Sequence, residues 1–301
     1  MGQGWGTLFA LNGYETMLVD VDEKRLEEAA ARVESHIDFL VNAGLGKDPE
    51  KAKNRITTAT SIAEGVRDAS FVVESVYESY DAKRAVYKEM DEHAPADTPL
   101  ASSSSGLLMS RIQTAAARHP ERCIVAHPWN PVYLIPLVEL CPGQLTSEET
   151  TRRTYKLMEE IGKVPIIVRK EVPGFIANRL SAALWREALD LVDKGVASAE
   201  DVDKAVSFGP GLRWAIMGPY LTYHLGGGSG GIEYIMRHIG VSKAEWLETM
   251  AKWTRTPDSA VEKAVRGVSE MRLVKEKTYE ELESYRDERL VQLLKILQSS
   301  P

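Results

Sequence analysis

The fold class is indicated first by residues 16–22, Thr16-Met-Leu-Val-Asp-Val-Asp22. This stretch joins a short apolar run to acidic residues at its end. A run of this kind is typical of a strand buried in a parallel sheet. A helical pattern follows directly, with apolar residues three and four positions apart: Leu26, Ala29, Ala30, Val33, Ile37, Leu40 and Val41. We therefore predict that a strand and then a helix of an α/β domain lie here.

The same alternation continues to about residue 170. Further strands are predicted at 70–73, 99–101, 123–126, 135–140 and 164–168, with helices at 80–93 and 147–162. After residue 170 the pattern is helical to the end, beginning with a long helix from Pro173 to Val192. Strands that alternate with helices form right-handed βαβ units. The prediction is a doubly wound, mainly parallel sheet in residues 1–169, followed by an all-helical domain in residues 170–301.

The first residues, Met1-Gly-Gln-Gly-Trp-Gly6, lead into a predicted helix. A dinucleotide-binding unit has a strand, a glycine-rich turn, a helix whose N-terminus meets the pyrophosphate, and an acidic residue after the second strand. Gly2 would then be the last glycine of this fingerprint, and Asp20 the carboxylate that binds the ribose and favours NAD over NADP. On this interpretation the first strand is missing, and we expect about a dozen more residues upstream. A flexible glycine-containing start remains the alternative.

Composition narrows the class of protein. The 301 residues carry a net charge of −7, which argues against nucleic acid as a partner. The two cysteines, Cys123 and Cys141, form neither a disulfide framework nor a metal-binding pattern. No apolar run approaches the roughly 20 residues that span a bilayer. We expect a cytoplasmic protein of two domains that binds neither metal nor membrane.

Two ionisable residues follow predicted strands. His127 comes after Cys-Ile-Val-Ala, and Glu139 ends the next apolar run. Ligands bind at the carboxyl ends of strands in open α/β sheets. A neutral histidine suits the removal of a hydroxyl proton near pH 7, and a carboxylate on its other nitrogen stabilises the imidazolium. The alternative is a buried, hydrogen-bonded histidine without a catalytic role.

Hydroxyl and amide groups provide a second candidate cluster. The run Ser102-Ser-Ser-Ser-Gly106 follows a predicted strand, and Asn178 lies early in the helical stretch that begins at Pro173. These groups are suited to hold a substrate oxygen. A helix cap for the serines and a surface position for the amide are the alternatives.

Four separate motifs together resemble the 3-hydroxyacyl-CoA dehydrogenase family. They are Ala-Ser-Ser-Ser-Ser-Gly (101–106), His-Pro-Trp-Asn-Pro (127–131), Leu-Val-Glu (137–139) and Pro-Gly-Phe-Ile-Ala-Asn-Arg (173–179). The resemblance covers nearly the whole chain and implies a Rossmann domain, a helical dimerisation domain, NAD as cofactor and a homodimer. By matching motif, it implies that Ser105 and Asn178 hold the substrate oxygen, that His127 is the base, and that Glu139 is its partner. Glu78 and Lys83 match family positions near the nicotinamide end of the cofactor.

The expected substrate is a free hydroxy acid, because the likeness is greatest to family members that oxidise such acids, with L-carnitine as the first choice. Arg213 is suited to bind a carboxylate in a bidentate manner. Trp214, Tyr223 and Trp129 offer aromatic faces to a trimethylammonium group, at about 0.5–2 kcal/mol per contact. A salt bridge for Arg213 and core packing for the aromatic residues are the alternatives.

Other functions remain open from the sequence. The enzymatic alternatives are the oxidation of L-gulonate and of 3-hydroxybutyryl-CoA. A non-catalytic, crystallin-like dinucleotide-binding protein is a third possibility, although the joint presence of His127, Glu139, Ser105 and Asn178 argues against it.

Overall fold

A computed structural model describes residues 1–238 and 240–298 of the chain. Two compact units divide between Arg179 and Leu180. Seven strands lie in the first unit: β1 (Thr16–Val19), β2 (Ile56–Ala59), β3 (Val72–Glu74), β4 (Leu100–Ser102), β5 (Cys123–Pro128), β6 (Leu137–Pro142) and β7 (Val164–Ile167). Its helices are α1 (Gly2–Leu11), α2 (Glu23–Asn42), α3 (Pro49–Lys53), α4 (Ile62–Val66), α5 (Tyr80–His93), α6 (Met109–Ile112) and α7 (Glu148–Glu160). Single 3-10 turns lie at Gln113–Ala115 and Pro120–Arg122.

The strands form two sheets. Strands β3 to β7 form a five-stranded sheet in sequence order, and β1 pairs in parallel with β2 in a separate two-stranded sheet. All pairs of the larger sheet are parallel except β5 with β6, which is antiparallel. The prediction of a mainly parallel α/β domain is confirmed. The strand β2 was missed because its sequence, Ile-Thr-Thr-Ala, has two exposed threonines and no apolar run.

Helices cover both faces of the five-stranded sheet. Successive residues of β5 point to opposite faces, so Cys123 and Val125 join one buried cluster while Ile124 and Ala126 join the other. The first cluster contains Tyr87 and Met90 of α5 and Met109 and Ile112 of α6. The second contains Trp5 of α1 and Met158 of α7. Burial on both faces explains why these strands are continuous apolar runs in the sequence.

The helix predicted to start at Pro173 starts later, and this corrects the sequence interpretation. Helix α8 (Ala177–Asp193) is preceded by a turn in which Gly174 has a φ of 76° and Phe175 a φ of 51°. Two consecutive residues in the left-handed region are incompatible with a right-handed helix. Pro173 and Gly174 therefore belong to a turn that comes directly before α8.

The second unit is helical. It contains the rest of α8 and a further series of helices: α9 (Ala199–Phe208), α10 (Pro210–Trp214), α11 (Pro219–Gly226), α12 (Gly231–His238), α13 (Gly240–Thr249), α14 (Asp258–Glu270), α15 (Arg272–Glu276) and α16 (Tyr279–Gln298). A 3-10 turn at Gly228–Gly230 lies between α11 and α12. Within residues 1–238 and 240–298, no helix has both the length and the apolar character needed to cross a bilayer.

Candidate active site

His127 and Glu139 lie directly opposite each other in the antiparallel pair β5 and β6. The Nδ1 atom of His127 is 2.8 Å from Oε2 of Glu139. Both residues are buried, with 3% of His127 and none of Glu139 exposed. The register of the two strands thus produces the pair that the sequence predicted.

Glu139 is held as a carboxylate by three donors. Its Oε1 atom accepts hydrogen bonds from the backbone N–H groups of Ile176, at 2.8 Å, and Ala177, at 3.0 Å. Burial favours the neutral acid, but the hydrogen bonds from His127, Ala177 and Ile176 outweigh it and lower the pKa of Glu139 below its usual 4.5. The ionised carboxylate is only an acceptor, so Nδ1 of His127 carries the proton.

This protonation leaves Nε2 of His127 with a lone pair. No hydrogen bond to Nε2 is found within the described part of the chain. A neutral imidazole held in this tautomer can accept a proton from a hydroxyl group, and Glu139 then stabilises the imidazolium that forms. The pair is therefore arranged as a general base with a charged partner.

Phe175 connects the turn before α8 to this pair. Its side chain is fully buried, and its ring centroid lies 5.6 Å from that of His127 at an interplanar angle of 54°. Its left-handed backbone leads directly into the two N–H groups that bind Glu139. No role for Phe175 was predicted from the sequence, although the preceding Pro-Gly pair is a turn signal.

Ser105 and Asn178 are in contact, as the shared role in the sequence analysis requires. The amide Nδ2 of Asn178 donates to the backbone carbonyl of Ser105 over 2.7 Å. Gly106 packs so closely on the turn before α8 that an added Cβ would lie 3.3 Å from the backbone nitrogen of Gly174. Asn178 follows directly after Ala177, whose N–H binds Glu139. One short segment, residues 174–178, therefore contacts both Ser105 and Gly106 of the serine run and the His127–Glu139 pair.

Glu78 and Lys83 belong to one polar network, in which Lys83 is buried and Glu78 is exposed. Lys83 Nζ lies 3.3 Å from Glu78 Oε2, and Glu78 Oε1 accepts from the hydroxyl of Ser104 at 2.7 Å. The backbone N–H of Ser105 also donates to Glu78 Oε1, over 2.9 Å. Burial opposes ionisation, but the bonds from Ser104, Lys83 and Ser105 outweigh it and lower the pKa of Glu78.

Glu74 was not predicted as a site residue, and Ser102 and Ser104 were predicted only as part of the serine run and not as members of this network. Glu74 is the last residue of β3. His127 and Glu139 were predicted as site residues because each lies at the end of an apolar run that predicts a strand. The strand-end signal was therefore present at Glu74. Its partner Lys83 lies nine residues away on α5, and the contact is not visible in the sequence.

The residues predicted to bind the cofactor have surroundings that suit NAD. Gly2 begins the ten-residue helix α1, whose first turn has neither a side-chain cap nor an acidic residue. An added Cβ on Gly2 would lie 3.8 Å from Ser75, just after β3, so this helix end lies at the carboxyl end of that strand. Free N–H groups at such an end bind the phosphates of a dinucleotide.

Asp20 follows β1, where the ribose carboxylate is expected. Its Oδ1 atom accepts from the backbone N–H of Asp22 at 3.1 Å. This bond orients the carboxylate and leaves its other oxygen available for ribose hydroxyls. Asp20 thus offers a carboxylate acceptor that fits the ribose hydroxyls of NAD.

The residues predicted to bind the substrate lie in both units. Trp129 lies beside His127, with its ring centroid 6.3 Å from that of His127. Arg213 and Trp214 end α10, and Tyr223 lies on α11. Arg213 is exposed, and Trp214 and Tyr223 are each 41% exposed. Their role in substrate binding stays a prediction.

Residues 1–172 match the NAD-binding domain of 3-hydroxyacyl-CoA dehydrogenase, and residues 174–267 match the C-terminal domain of the same family. The chain belongs to the 3-hydroxyacyl-CoA dehydrogenase family. It is therefore an NAD-dependent oxidoreductase that acts on a CH–OH group. The match to both domains, in this order, confirms the resemblance noted in the sequence.

Curated relatives in this family include two bacterial L-carnitine dehydrogenases. The protein from Oceanobacillus iheyensis is 39% identical, over 99% of this chain and 95% of its own length. The protein from Pseudomonas aeruginosa is 40% identical, over 98% of this chain and 90% of its own length.

Solved structures give the same fold. An NAD-dependent dismutase, 5-formyl-3-hydroxy-2-methylpyridine 4-carboxylic acid 5-dehydrogenase, matches with a TM-score of 0.83 and 28% identity, over 100% of this chain and 96% of that one. The (S)-3-hydroxybutyryl-CoA dehydrogenase of Ralstonia eutropha matches with a TM-score of 0.65 and 28% identity, over 82% and 84% of the two chains. The predicted Rossmann sheet followed by a helical domain is thus confirmed.

Proposed function

We propose that this protein oxidises L-carnitine to 3-dehydrocarnitine, with His127 as the base. The observation that carries the proposal is the His127–Glu139 pair, in which Nδ1 is bound to the carboxylate at 2.8 Å and Nε2 is left to accept a proton. The similarity to L-carnitine dehydrogenases over nearly the full chain supports this choice of substrate.

The chemistry is the conversion of a secondary alcohol to a ketone. His127 accepts the hydroxyl proton at Nε2, and Glu139 balances the resulting positive charge. Bound NAD supplies the acceptor for the hydride that leaves the same carbon. Ser105 and Asn178 orient the substrate oxygen toward His127, and the bond from Asn178 to the Ser105 carbonyl fixes the two relative to each other.

Recognition of a free acid is assigned to the cationic and aromatic residues. Arg213 supplies a planar guanidinium for the substrate carboxylate. Trp129, Trp214 and Tyr223 supply aromatic faces for the trimethylammonium group, and the position of Trp129 beside His127 supports its part in this role. The free carboxylic acid in the name of the dismutase that shares this fold is consistent with an acid substrate.

The test is NADH formation with L-carnitine, L-gulonate and (S)-3-hydroxybutyryl-CoA, offered separately at equal concentration. L-Carnitine should give the highest kcat/KM. Arg213→Met should raise its KM about tenfold or more, since a hydrogen-bonded charge contributes about 1.5–3 kcal/mol. Trp214→Leu should raise it about two- to thirtyfold, since a cation–π contact contributes about 0.5–2 kcal/mol. Preference for the CoA ester, with no effect of either substitution, would reject the free-acid assignment.

We also propose that the protein is a homodimer. Apolar side chains on the helical unit support this, because Phe208, Ile216 and Tyr220 are 77%, 71% and 82% exposed. Sedimentation equilibrium at micromolar concentration should give twice the mass of the chain. A monomer under those conditions would reject the proposal.

A further inference from the structure

Three hydrogen-bonded side chains connect α1 to the residues that follow β3 and β4. The indole Nε1 of Trp5 donates to Ser103 Oγ over 3.0 Å, and Ser103 Oγ lies 3.0 Å from Ser75 Oγ. Trp5 and Ser103 are buried, with 2% and 7% exposed, whereas Ser75 is exposed. The series of hydrogen bonds therefore begins in the interior, at Trp5, and ends at the surface, at Ser75.

The direction of these bonds follows from what each group can donate. An indole nitrogen is only a donor, so the Ser103 oxygen accepts from Trp5. Within residues 1–238 and 240–298, the one other partner of this oxygen is Ser75 Oγ. A buried hydroxyl proton without an acceptor is unfavourable, so Ser103 donates to Ser75. Ser75 thus accepts from Ser103, and its own hydroxyl proton remains available to a further acceptor.

Ser75 lies beside the start of α1. An added Cβ on Gly2 would lie 3.8 Å from Ser75 Cβ and 4.0 Å from its Oγ. The first turn of α1 has neither a side-chain cap nor an acidic residue, so its free N–H groups attract an anion. A hydroxyl donor at this distance adds a hydrogen bond to the same anion.

We propose that the Ser75 hydroxyl donates to an oxygen of the NAD diphosphate, and that Trp5 and Ser103 are the positioning residues that direct it there. The inference rests on the proposed placement of the diphosphate at Gly2. Each hydroxyl in the series accepts one bond and donates the next, so the bonds strengthen one another. Trp5 therefore acts on cofactor binding through Ser75 and not by a contact of its own.

Substitution of Ser75 tests the contact with the diphosphate. Ser75→Ala removes one exposed hydroxyl and leaves room for water, so the Tm should change little. The affinity for NAD should fall at least about tenfold, as expected when a hydrogen bond to a charged group is lost. ADP has the diphosphate without the nicotinamide riboside, and its affinity should fall by the same factor. The matched control is Ser70→Ala, an exposed serine before the other end of β3, which should change neither affinity.

Calorimetric titration with NAD and with ADP, in the absence of a hydroxy acid, measures these affinities. Unchanged binding of both ligands by Ser75→Ala would overturn the proposal. A loss for NAD alone would also overturn it, because the hydroxyl would then contact the nicotinamide half of the cofactor. An error in the carnitine assignment would leave these titrations unaffected and would be detected only in the turnover of the wild-type protein.

A double-variant comparison tests whether Trp5 acts through Ser75. Trp5→Phe keeps a buried aromatic ring but cannot donate to Ser103, so NAD affinity should fall about two- to tenfold, as expected for the loss of a neutral hydrogen bond. Added to Ser75→Ala, the same substitution should have no further effect, because the hydroxyl through which Trp5 acts is absent. A loss of equal size in both backgrounds would overturn the positioning role of Trp5, since it would then arise from a shift of α1 itself.

Discussion

His127 Nδ1 lies 2.8 Å from Glu139 Oε2, across the antiparallel strands β5 and β6, where the two residues are direct partners in the register. The second oxygen of Glu139 binds the first N–H groups at the start of α8. His127, its carboxylate partner Glu139 and the segment that leads to Asn178 are thus one hydrogen-bonded assembly. Its geometry and charge determine how substitutions at Glu139 and Phe175 should affect stability and turnover.

The lowered pKa of Glu139 predicts how this residue affects stability in acid. A carboxyl group whose pKa is lower in the folded state stabilises the protein above its unfolded pKa, and this contribution is lost as the pH falls through the folded value. The pKa of Glu139 lies below 4.5 because its three hydrogen bonds outweigh burial.

Glu139→Gln should therefore lower the free energy of unfolding at pH 7 by about 1–3 kcal/mol. The difference from the wild type should shrink as the pH falls below 4.5. Urea unfolding at pH 7, 4.5 and 3.5 measures this. A difference that stays constant at all three values would show that the charge of Glu139 does not contribute.

Phe175 should affect both stability and turnover. Removal of its fully buried ring by Phe175→Ala should cost about 3–5 kcal/mol of unfolding free energy, and it also releases the N–H groups held against Glu139. We expect kcat to fall more than tenfold in the folded variant. The control is Met109→Ala, another fully buried side chain of the same cluster, which should lose stability but keep kcat. Equal kcat in the two variants would refute a positioning role for Phe175.

Asp20 should determine the choice between NAD and NADP. Its carboxylate is oriented by the bond from Asp22 N–H, and it repels a 2′-phosphate. Asp20→Ala should weaken NAD binding about tenfold, equivalent to about 1.4 kcal/mol, and reduce discrimination against NADP. Titration with both cofactors measures this, with the exposed Glu15→Ala as control. Unchanged discrimination would place the adenosine ribose elsewhere.

Lys163 is a buried cation whose cost to stability should depend on pH. Burial lowers its pKa to about 7, and its ammonium group donates to the carbonyl of Ile135 at 2.7 Å and to that of Val132. Because the pKa is lower in the folded state than in the unfolded state, the unfolded chain binds more protons above pH 7. The contribution of this group to stability therefore rises with pH from about 7 to its ordinary value of 10.5.

Lys163→Met should remove this rise, so that the wild type gains more unfolding free energy than the variant between pH 7 and 9.5. The exposed Lys156→Met on α7 is the control and should follow the wild type. Parallel behaviour of wild type and Lys163→Met would mean that Lys163 is not charged differently in the two states.

The sequence predicted elements best where burial is uniform. Strands β5 and β6 are apolar runs because both faces of the sheet are covered, and α5 was predicted at its observed bounds from its helical periodicity. The strand β2 was not predicted, since its exposed threonines give no apolar signal. The start of α8 was placed four residues too early, because periodicity does not reveal the left-handed turn at Phe175.

His127 and Glu139 were predictable because they complete motifs and lie in or after apolar runs, although the structure places His127 within β5 and Glu139 in the middle of β6 rather than at its end. Their mutual distance was not, because it depends on the antiparallel register of β5 and β6. Glu74 was missed for a similar reason. A carboxylate at the end of a predicted strand is recognised as a site residue only when its partner can also be predicted. Lys83 lies in the interior of α5, so its contact with Glu74 could not be predicted from the sequence.

His127 is proposed to accept the hydroxyl proton of a free hydroxy acid. The most direct test of this role is the rate of NADH formation from L-carnitine by the wild type and by His127→Gln, with NAD affinity measured in parallel. A positioned base contributes about 10²–10⁴-fold to rate, so His127→Gln should lose turnover by that factor and bind NAD as the wild type does. Turnover of L-carnitine by His127→Gln within tenfold of the wild type would contradict the role of His127 as the base.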